Sequence, residues 1–263
     1  MSTEVFDRDS FARDPLMRGY CRVPLAELRR RPELGRDRQL RYGEPFDVYE
    51  RRDGFATGDS VLAGHSGWIA ESALAPNSRR PAPTHWVGAR QTHVYPEPDF
   101  KTRETCALTH LSRVAVLRQD GRFSETELGW IPTNHLTDRP AEDPVSVAAL
   151  YLGVPYLWGG NSIWGLDCSG LVHAALMACG QKCPSDSHPQ EMVLGRALPP
   201  GTPPRRGDLM FWKGHVAWVS DTDTLLHANA FHMAVTFEPL TEAIARIQAQ
   251  GGGPVIRHAR LSL

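Results

Sequence analysis

The first half of the chain carries one short pattern twice. Gly67-Trp68-Ile69, with Leu74 beyond it, returns as Gly129-Trp130-Ile131 with Leu136. Each copy follows a strand-like alternation that runs into an Asp-Gly pair. Phe46, Val48 and Glu50 precede Asp53-Gly54, and Val114 and Val116 precede Asp120-Gly121. Alternation at period two marks half-buried strands, and Asp-Gly supplies the positive φ angles of a hairpin turn. A self-similar period of about 60 residues predicts two small all-β barrels in tandem. A Pro-rich stretch from Pro76 to Pro83 reads as the linker between them, and Pro140-Ala141-Glu142-Asp143-Pro144 as a second break. The expected division is an N-terminal segment over 1–35, barrels over 36–76 and 84–138, and a further domain over 142–263. Within the first segment, Val23 to Leu34 reads as a short helix covering a barrel.

Beyond the second break the periodicity changes. Val145 to Leu152 has helical spacing with no Gly or Pro inside. A second helix opens at Asp167-Cys168-Ser169-Gly170, with Leu171, Val172, Ala175, Leu176 and Cys179 as its apolar stripe and Gly180 as its stop. Asp167 or Ser169 suits the N-cap. His173 falls opposite the stripe and is expected in solvent. A thiol at a helix start feels unpaired N–H groups and the positive end of the helix dipole, which favour a thiolate and offer an oxyanion site. Upstream, Tyr156-Leu157-Trp158-Gly159-Gly160 reads as a tight loop that lets another chain approach closely.

A nucleophile needs a base. Gly207 to Trp212, His215 to Val219 and Leu225 to Asn229 read as consecutive antiparallel strands, which makes His215 and His227 candidate lateral neighbours. One imidazole then takes the thiol proton and the other orients it. A lone cysteine at a helix start is most often a small buried hydrophobe. The conjunction of Gly-Gly loop, capped Cys helix and two strand histidines points to chemistry instead. Cys21, Cys106, Cys179 and Cys183 lack that setting and read as structural, and Trp212 and Trp218 as packing residues.

Together these motifs resemble the NlpC/P60 peptidases over residues 142–240. The resemblance rests on Tyr156-x-Trp158-Gly159-Gly160, Gly165-x-Asp167-Cys168-Ser169-Gly170, Gly207-Asp208-Leu209, His215-Val216 and His227-Ala228-Asn229, in the family's order. It implies an α+β chain: two small SH3-like β-barrels followed by a papain-like domain in which a Cys-bearing helix packs on an antiparallel sheet. It also implies a catalytic Cys168–His215–His227 trio and cleavage of γ-D-glutamyl–diamino acid bonds in cell-wall peptides. The two-barrel arrangement is similar to γ-D-glutamyl-L-diamino acid endopeptidases of the cytoplasm, which require a free amino-terminal L-Ala. That likeness implies substrate contacts from Asp167, Ser169, Trp158 and Ser187 (in Pro184-Ser185-Asp186-Ser187), and from Glu44 and His65 of the first barrel. A carboxylate such as Asp167 suits an ammonium group. Ser185 departs from the family's Arg, and His65 from its Tyr.

Bulk properties narrow the alternatives. Formal net charge is −1 with 41% hydrophobic and 22% charged residues, so no basic excess calls for nucleic acid. No stretch reaches the ~20 apolar residues of a membrane helix, and the charged start Met1 to Gly19 lacks a secretory pattern. A cytoplasmic protein with reduced thiols is expected, with no metal or cofactor and a muropeptide as partner. An acyltransferase or amidase on the same scaffold, or a non-catalytic wall-binding protein, are the competing classes.

Overall fold

The computed structural model describes residues 14–262; residues 1–13 of the charged start lie outside the described residues. The protein is α+β, and among the described residues its α-helices fall in the second half.

Strands Met17–Cys21, Leu25–Arg29, Arg36–Arg41, Pro45–Arg52, Phe55–Ser60, His65–Ala70 and Leu74–Pro76 make one antiparallel sheet. Asp53 and Gly54 take φ of 52° and 79°, the pair of left-handed residues that a two-residue hairpin needs. Phe46, Val48 and Ile69 are fully buried in its core with Leu28 and Leu40. The helix expected over Val23 to Leu34 is replaced by the strand Leu25–Arg29. Ala26 and Leu28 face inward while Glu27 faces out, a period-two pattern that tertiary pairing with Arg36–Arg41 enforces. The strands Met17–Cys21 and Leu25–Arg29 therefore belong to the first unit's sheet. Its outer strands, Arg36–Arg41 and Leu74–Pro76, do not pair with each other, so this SH3-like unit is open along that side.

The second unit, from strand His85–Val87 to Leu136–Thr137, divides its strands among three small sheets. The sequence repeat survives in three dimensions. His65–Ala70, the 3-10 turn Glu71–Ala73 and Leu74–Pro76 are matched by Gly129–Pro132, Thr133–His135 and Leu136–Thr137. The two units share a core: Tyr20, Tyr42 and Ala75 pack with Val87, Leu108 and Ile131. At Gly43, φ is 79° and a Cβ would stand 2.2 Å from the Arg113 carbonyl oxygen, so only glycine allows this approach.

In the third unit, helix α1 (Pro144–Ala149) is shorter than its sequence pattern, and Asp143 caps it by accepting from the Val145 N–H at 2.9 Å. Helices α2 (Cys168–Ala178), α3 (Ser187–Val193) and α4 (Leu240–Ala249) follow. The sheet runs Arg196–Ala197, Arg257–Arg260, Asp208–Trp212, His215–Asp221, Thr224–Asn229, Ala234–Pro239 in spatial order. One face (Val216, Trp218, Leu226) packs on α2 through Leu171, Val172 and Ala175, and the other (Met210, Ala217, Leu225) on α4 through Ala243 and Ile247. Each Val, Leu, Ile or Met among them contributes about 1.5–3 kcal/mol on burial. Because α2 is buried almost all round, His173 has no solvent face, contrary to expectation. It is 1% exposed and donates Nδ1–H to the Cys183 carbonyl at 2.9 Å.

Candidate active site

Cys168 is the first residue of α2, and Asp167 is its N-cap, accepting from the Gly170 N–H at 2.7 Å. The thiol sits against backbone. Its Sγ lies 4.0 Å from the Gly214 carbonyl oxygen, and the amides of Ser169 and Val216 also face it. Helix geometry alone favours a thiolate here, but burial and the charge of Asp167 outweigh it, pushing the thiol up to about 12. Burial thus opposes the thiolate that the helix start favours.

The two histidines meet as the strand order requires. Trp218 pairs with Leu226. Extending that register puts His227 opposite Ala217, with His215 on the same face and diagonal to it. His215 Nε2 and His227 Nδ1 are 2.9 Å apart. Burial holds His215 down to about 3 and His227 below its ordinary range, so both rings are neutral. Among the described residues no hydrogen bond joins Sγ to either ring, yet the thiol lies against Gly214 and Val216, the residues flanking His215. Catalytic contacts in an unliganded site are often long and tighten with substrate.

Two further residues extend the chain of contacts. His227 Nε2 lies 2.9 Å from Glu238 Oε2, and Arg246 donates to both carboxylate oxygens at 2.7 Å through Nε and Nη2. Burial opposes ionisation of Glu238, but the bonds from Arg246 and His227 hold it down to about 2. The only sequence signal for this pair was an acidic residue inside the Val235-Thr236-Phe237-Glu238 strand, too weak to single out.

The first unit supplies a wall beside the N-terminus of α2. Arg38 donates Nη1–H to Asp167 Oδ2 at 2.6 Å and Nη2–H to Ser169 Oγ at 3.2 Å, and pairs with Asp186. Asp167 also accepts from the Gly159 N–H at 3.0 Å and the Ser169 hydroxyl at 3.0 Å. With the Gly170 amide, these bonds fill the carboxylate's acceptor positions. His65 bridges Asp37 (2.7 Å) and Asp186 (3.3 Å) and lies 3.3 Å from Ser185 Oγ. Burial disfavours the imidazolium, but bonds to Asp186 and Asp37 raise His65 above its ordinary range. Asp37 and Arg38 were missed in the sequence, where a run of alternating charges looks like a solvated strand.

The remaining candidates fall around this centre. Ser187 opens α3, half-buried, one residue from Asp186. Trp158 is 67% exposed, and its carbonyl accepts from Arg36 Nε–H at 3.0 Å. Beside it, Gly159 has φ of 68°, and a Cβ there would stand 2.3 Å from the Asp37 carbonyl oxygen. Glu44 is elsewhere. It is buried against Arg41, accepting from its Nε–H at 2.6 Å and its backbone N–H at 3.1 Å. It lines a cavity of about 380 Å³ with Met177 and Gly180, at the opposite end of α2 from Cys168. Met177 stands nine helical steps from Cys168, about 14 Å along the axis. Glu44 therefore does not reach the Cys168 end of α2, where the likeness expects it; the acidic residue of the first unit that meets the Gly159 loop is Asp37, through its backbone.

A Cys-bearing helix packed on an antiparallel sheet is a papain-like arrangement, and the comparisons agree on that fold. Residues 153–249 match the NlpC/P60 family and residues 28–74 the bacterial dipeptidyl-peptidase Sh3 domain, so the chain carries an NlpC/P60 domain behind a bacterial Sh3 domain. A gamma-D-glutamyl-L-lysine dipeptidyl-peptidase of Bacillus cereus is 26% identical over 208 residues, 67% of this chain and 60% of that protein. The Bacillus subtilis protein of the same name is 35% identical over 40% of this chain and 37% of its own length. Dipeptidyl-peptidase 6 of Lysinibacillus sphaericus is 25% identical over 78% of this chain and 84% of its own length. The chain thus spans less than two thirds of the length of the first two relatives. The crystal structure of a NlpC/P60 family protein from Bacillus cereus shares the fold, with a TM-score of 0.78 over 92% of this chain and 99% of that one, at 20% identity.

Proposed function

We propose that this protein is a cysteine peptidase that hydrolyses the γ-D-glutamyl–diamino acid bond of peptidoglycan-derived peptides bearing a free amino-terminal L-Ala. The observation that carries the reading is Cys168 at the start of α2, its thiol against Gly214 and Val216, the chain neighbours of His215, with the first β unit as a wall on one side. The names of the relatives, dipeptidyl-peptidases acting at γ-D-glutamyl-L-lysine, favour this substrate class.

In this reading the thiol proton passes to His215 as Sγ attacks the γ-carbonyl carbon of the D-glutamyl residue. The oxyanion is met by backbone N–H groups at the start of α2, beside the sulfur. Imidazolium His215 then protonates the departing amine of the diamino acid, the C–N bond breaks, and a thioester remains on Cys168. Water, deprotonated by His215, adds to the thioester and returns the thiol and the dipeptide.

Asp167 has no acceptor position left for an ammonium group, so the free amine falls to Asp186, whose side chain is 42% exposed beside His65. Ser169 and Ser187 line the same subsite, and Trp158 offers an exposed ring at its rim. A free L-Ala amine exists only once the peptide has left the glycan strand, so in this reading the protein acts on released peptides, in cell-wall recycling, with the cytoplasm as its compartment.

The test is incubation with L-Ala-γ-D-Glu-diaminopimelate and its N-acetylated form, with a Cys168→Ala variant as control. Release of L-Ala-γ-D-Glu from the free peptide alone, lost on Cys168→Ala, is the expected result. Cleavage that survives Cys168→Ala would sink the mechanism, and equal cleavage of the acetylated peptide would sink the amine requirement.

A further inference from the structure

We infer that Glu238 is a positioning residue that fixes the proton positions on both histidines, so that His215 presents a bare Nδ1 to the thiol. The argument runs inward from the rim of the sheet. Both carboxylate oxygens of Glu238 accept from Arg246, and Oε2 also faces His227 Nε2 at 2.9 Å. A carboxylate engaged by two guanidinium N–H groups is ionised and can only accept. His227 must therefore carry its proton on Nε2. His227 is fully buried and neutral, so its Nδ1 is bare and acts as an acceptor. The 2.9 Å contact to His215 then requires the proton of His215 on Nε2, which leaves Nδ1 without one. His232 also approaches Glu238, at 4.0 Å, but its Nδ1 is engaged by Asn229 Oδ1 at 3.0 Å.

The consequence is specific to a histidine in the third position. An amide there offers an acceptor oxygen whatever else surrounds it, whereas a neutral imidazole can present either N–H or lone pair. Without an anchor, the His215–His227 contact is satisfied equally well by the reverse arrangement, in which His215 Nδ1 holds a proton and cannot act as base. Glu238 removes that degeneracy. Arg246 keeps its charge in place and its oxygens turned toward His227.

The tautomers are read directly from nitrogen-15 spectra of histidine-labelled protein, without substrate. This separates the inference from the peptidase reading, on which only the role of His215 as base rests. Wild-type protein should show His227 and His215 both protonated on Nε2. In Glu238→Gln, Arg246 retains the amide oxygen and the amide NH₂ faces His227. His227 should then switch to Nδ1–H and force His215 into the unproductive form. Alkylation of Cys168 by iodoacetamide, followed by peptide mass spectrometry, should slow at least about tenfold, and kcat should fall about 100-fold or more with KM little changed.

Adding Arg246→Met to Glu238→Gln frees the amide oxygen to accept from His227, and should restore the wild-type tautomers and most of the alkylation rate. Glu238→Asp, which keeps an ionised acceptor, should retain the Nε2–H form should the amide variant fold poorly. Unchanged tautomers in Glu238→Gln would overturn the inference. So would inverted tautomers with unchanged thiol reactivity, or no rescue in the double variant.

Discussion

Arg38 carries the contact between the first β unit and the nucleophile's helix, and its removal has a calculable cost. The Arg38 and Asp167 side chains are 10% and 6% exposed, so Arg38→Met leaves a buried carboxylate without its counter-charge. Breaking a buried pair from one side costs about 3–5 kcal/mol. Asp167 keeps its bonds from the Gly159 and Gly170 amides and from Ser169, which puts the loss at the lower end, about 3 kcal/mol. The pairing with Asp186 adds little, because that carboxylate is 42% exposed and screened by water. At about 2–4 °C per kcal/mol for a chain of this size, the melting midpoint should fall by about 6–12 °C. The shared cores that join the three units predict one cooperative transition, so circular dichroism and urea midpoints should agree. Arg38→Met combined with Asp167→Asn removes both charges and should recover at least about 1.5 kcal/mol relative to the sum of the single variants. A midpoint drop below about 2 °C, or strictly additive losses, would refute the claim that this guanidinium neutralises the helix cap.

Other predictions use the same reasoning. Glu44→Ala strands the buried Arg41 guanidinium and should cost about 3–5 kcal/mol in urea denaturation while leaving KM for a peptide substrate unchanged; a KM effect without a stability loss would return Glu44 to the site. Burial holds His110, His173 and His215 each down to about 3, against about 6.5 in the unfolded chain. Between those values the unfolded chain binds more protons, so stability rises with pH through the window and is lost as pH falls, by up to about 1.4 kcal/mol per pH unit per group. His65 acts the other way, since its raised value favours the folded state at low pH and loses that stabilisation as pH rises past it. Three groups outweigh one, and the urea midpoint should be clearly lower at pH 5 than at pH 7. A flat profile over that interval would contradict the burial argument.

The sequence displayed what is local. The Asp167 cap, the Cys168 helix start and the strand pair bearing His215 and His227 rest on spacing within short segments, and the duplicated Gly-Trp-Ile pattern proved to be a duplicated strand–turn–strand. What escaped needed three dimensions. Arg38 and Asp167 are far apart in the chain, and a lone Arg in a charged strand gives no hint of its partner. His173 looked solvated because helical spacing cannot tell a helix covered on one face from one enclosed on all sides. The Cys168 thiol was expected to be acidic because the helix dipole is legible in sequence, whereas the depth of burial that overrides it is not. Val23 to Leu34 misled for a related reason: a five-residue strand holds too few apolar residues to declare its period.

The third unit is not a detachable cassette. Its Gly159 loop lies against the Asp37 backbone, its Asn161 amide donates to Gln39 Oε1 at 2.9 Å, and Ile163 N–H donates to Thr109 Oγ1 at 3.0 Å. A gene fusion that joined residues 141–262 to a different anchoring module would discard those partners together with the cation that Asp167 needs. Recombination within this architecture is therefore confined to exchanges that carry the β units along. Arg38, Asp167 and Asp186 form a linked set, and a change at one demands compensation at another.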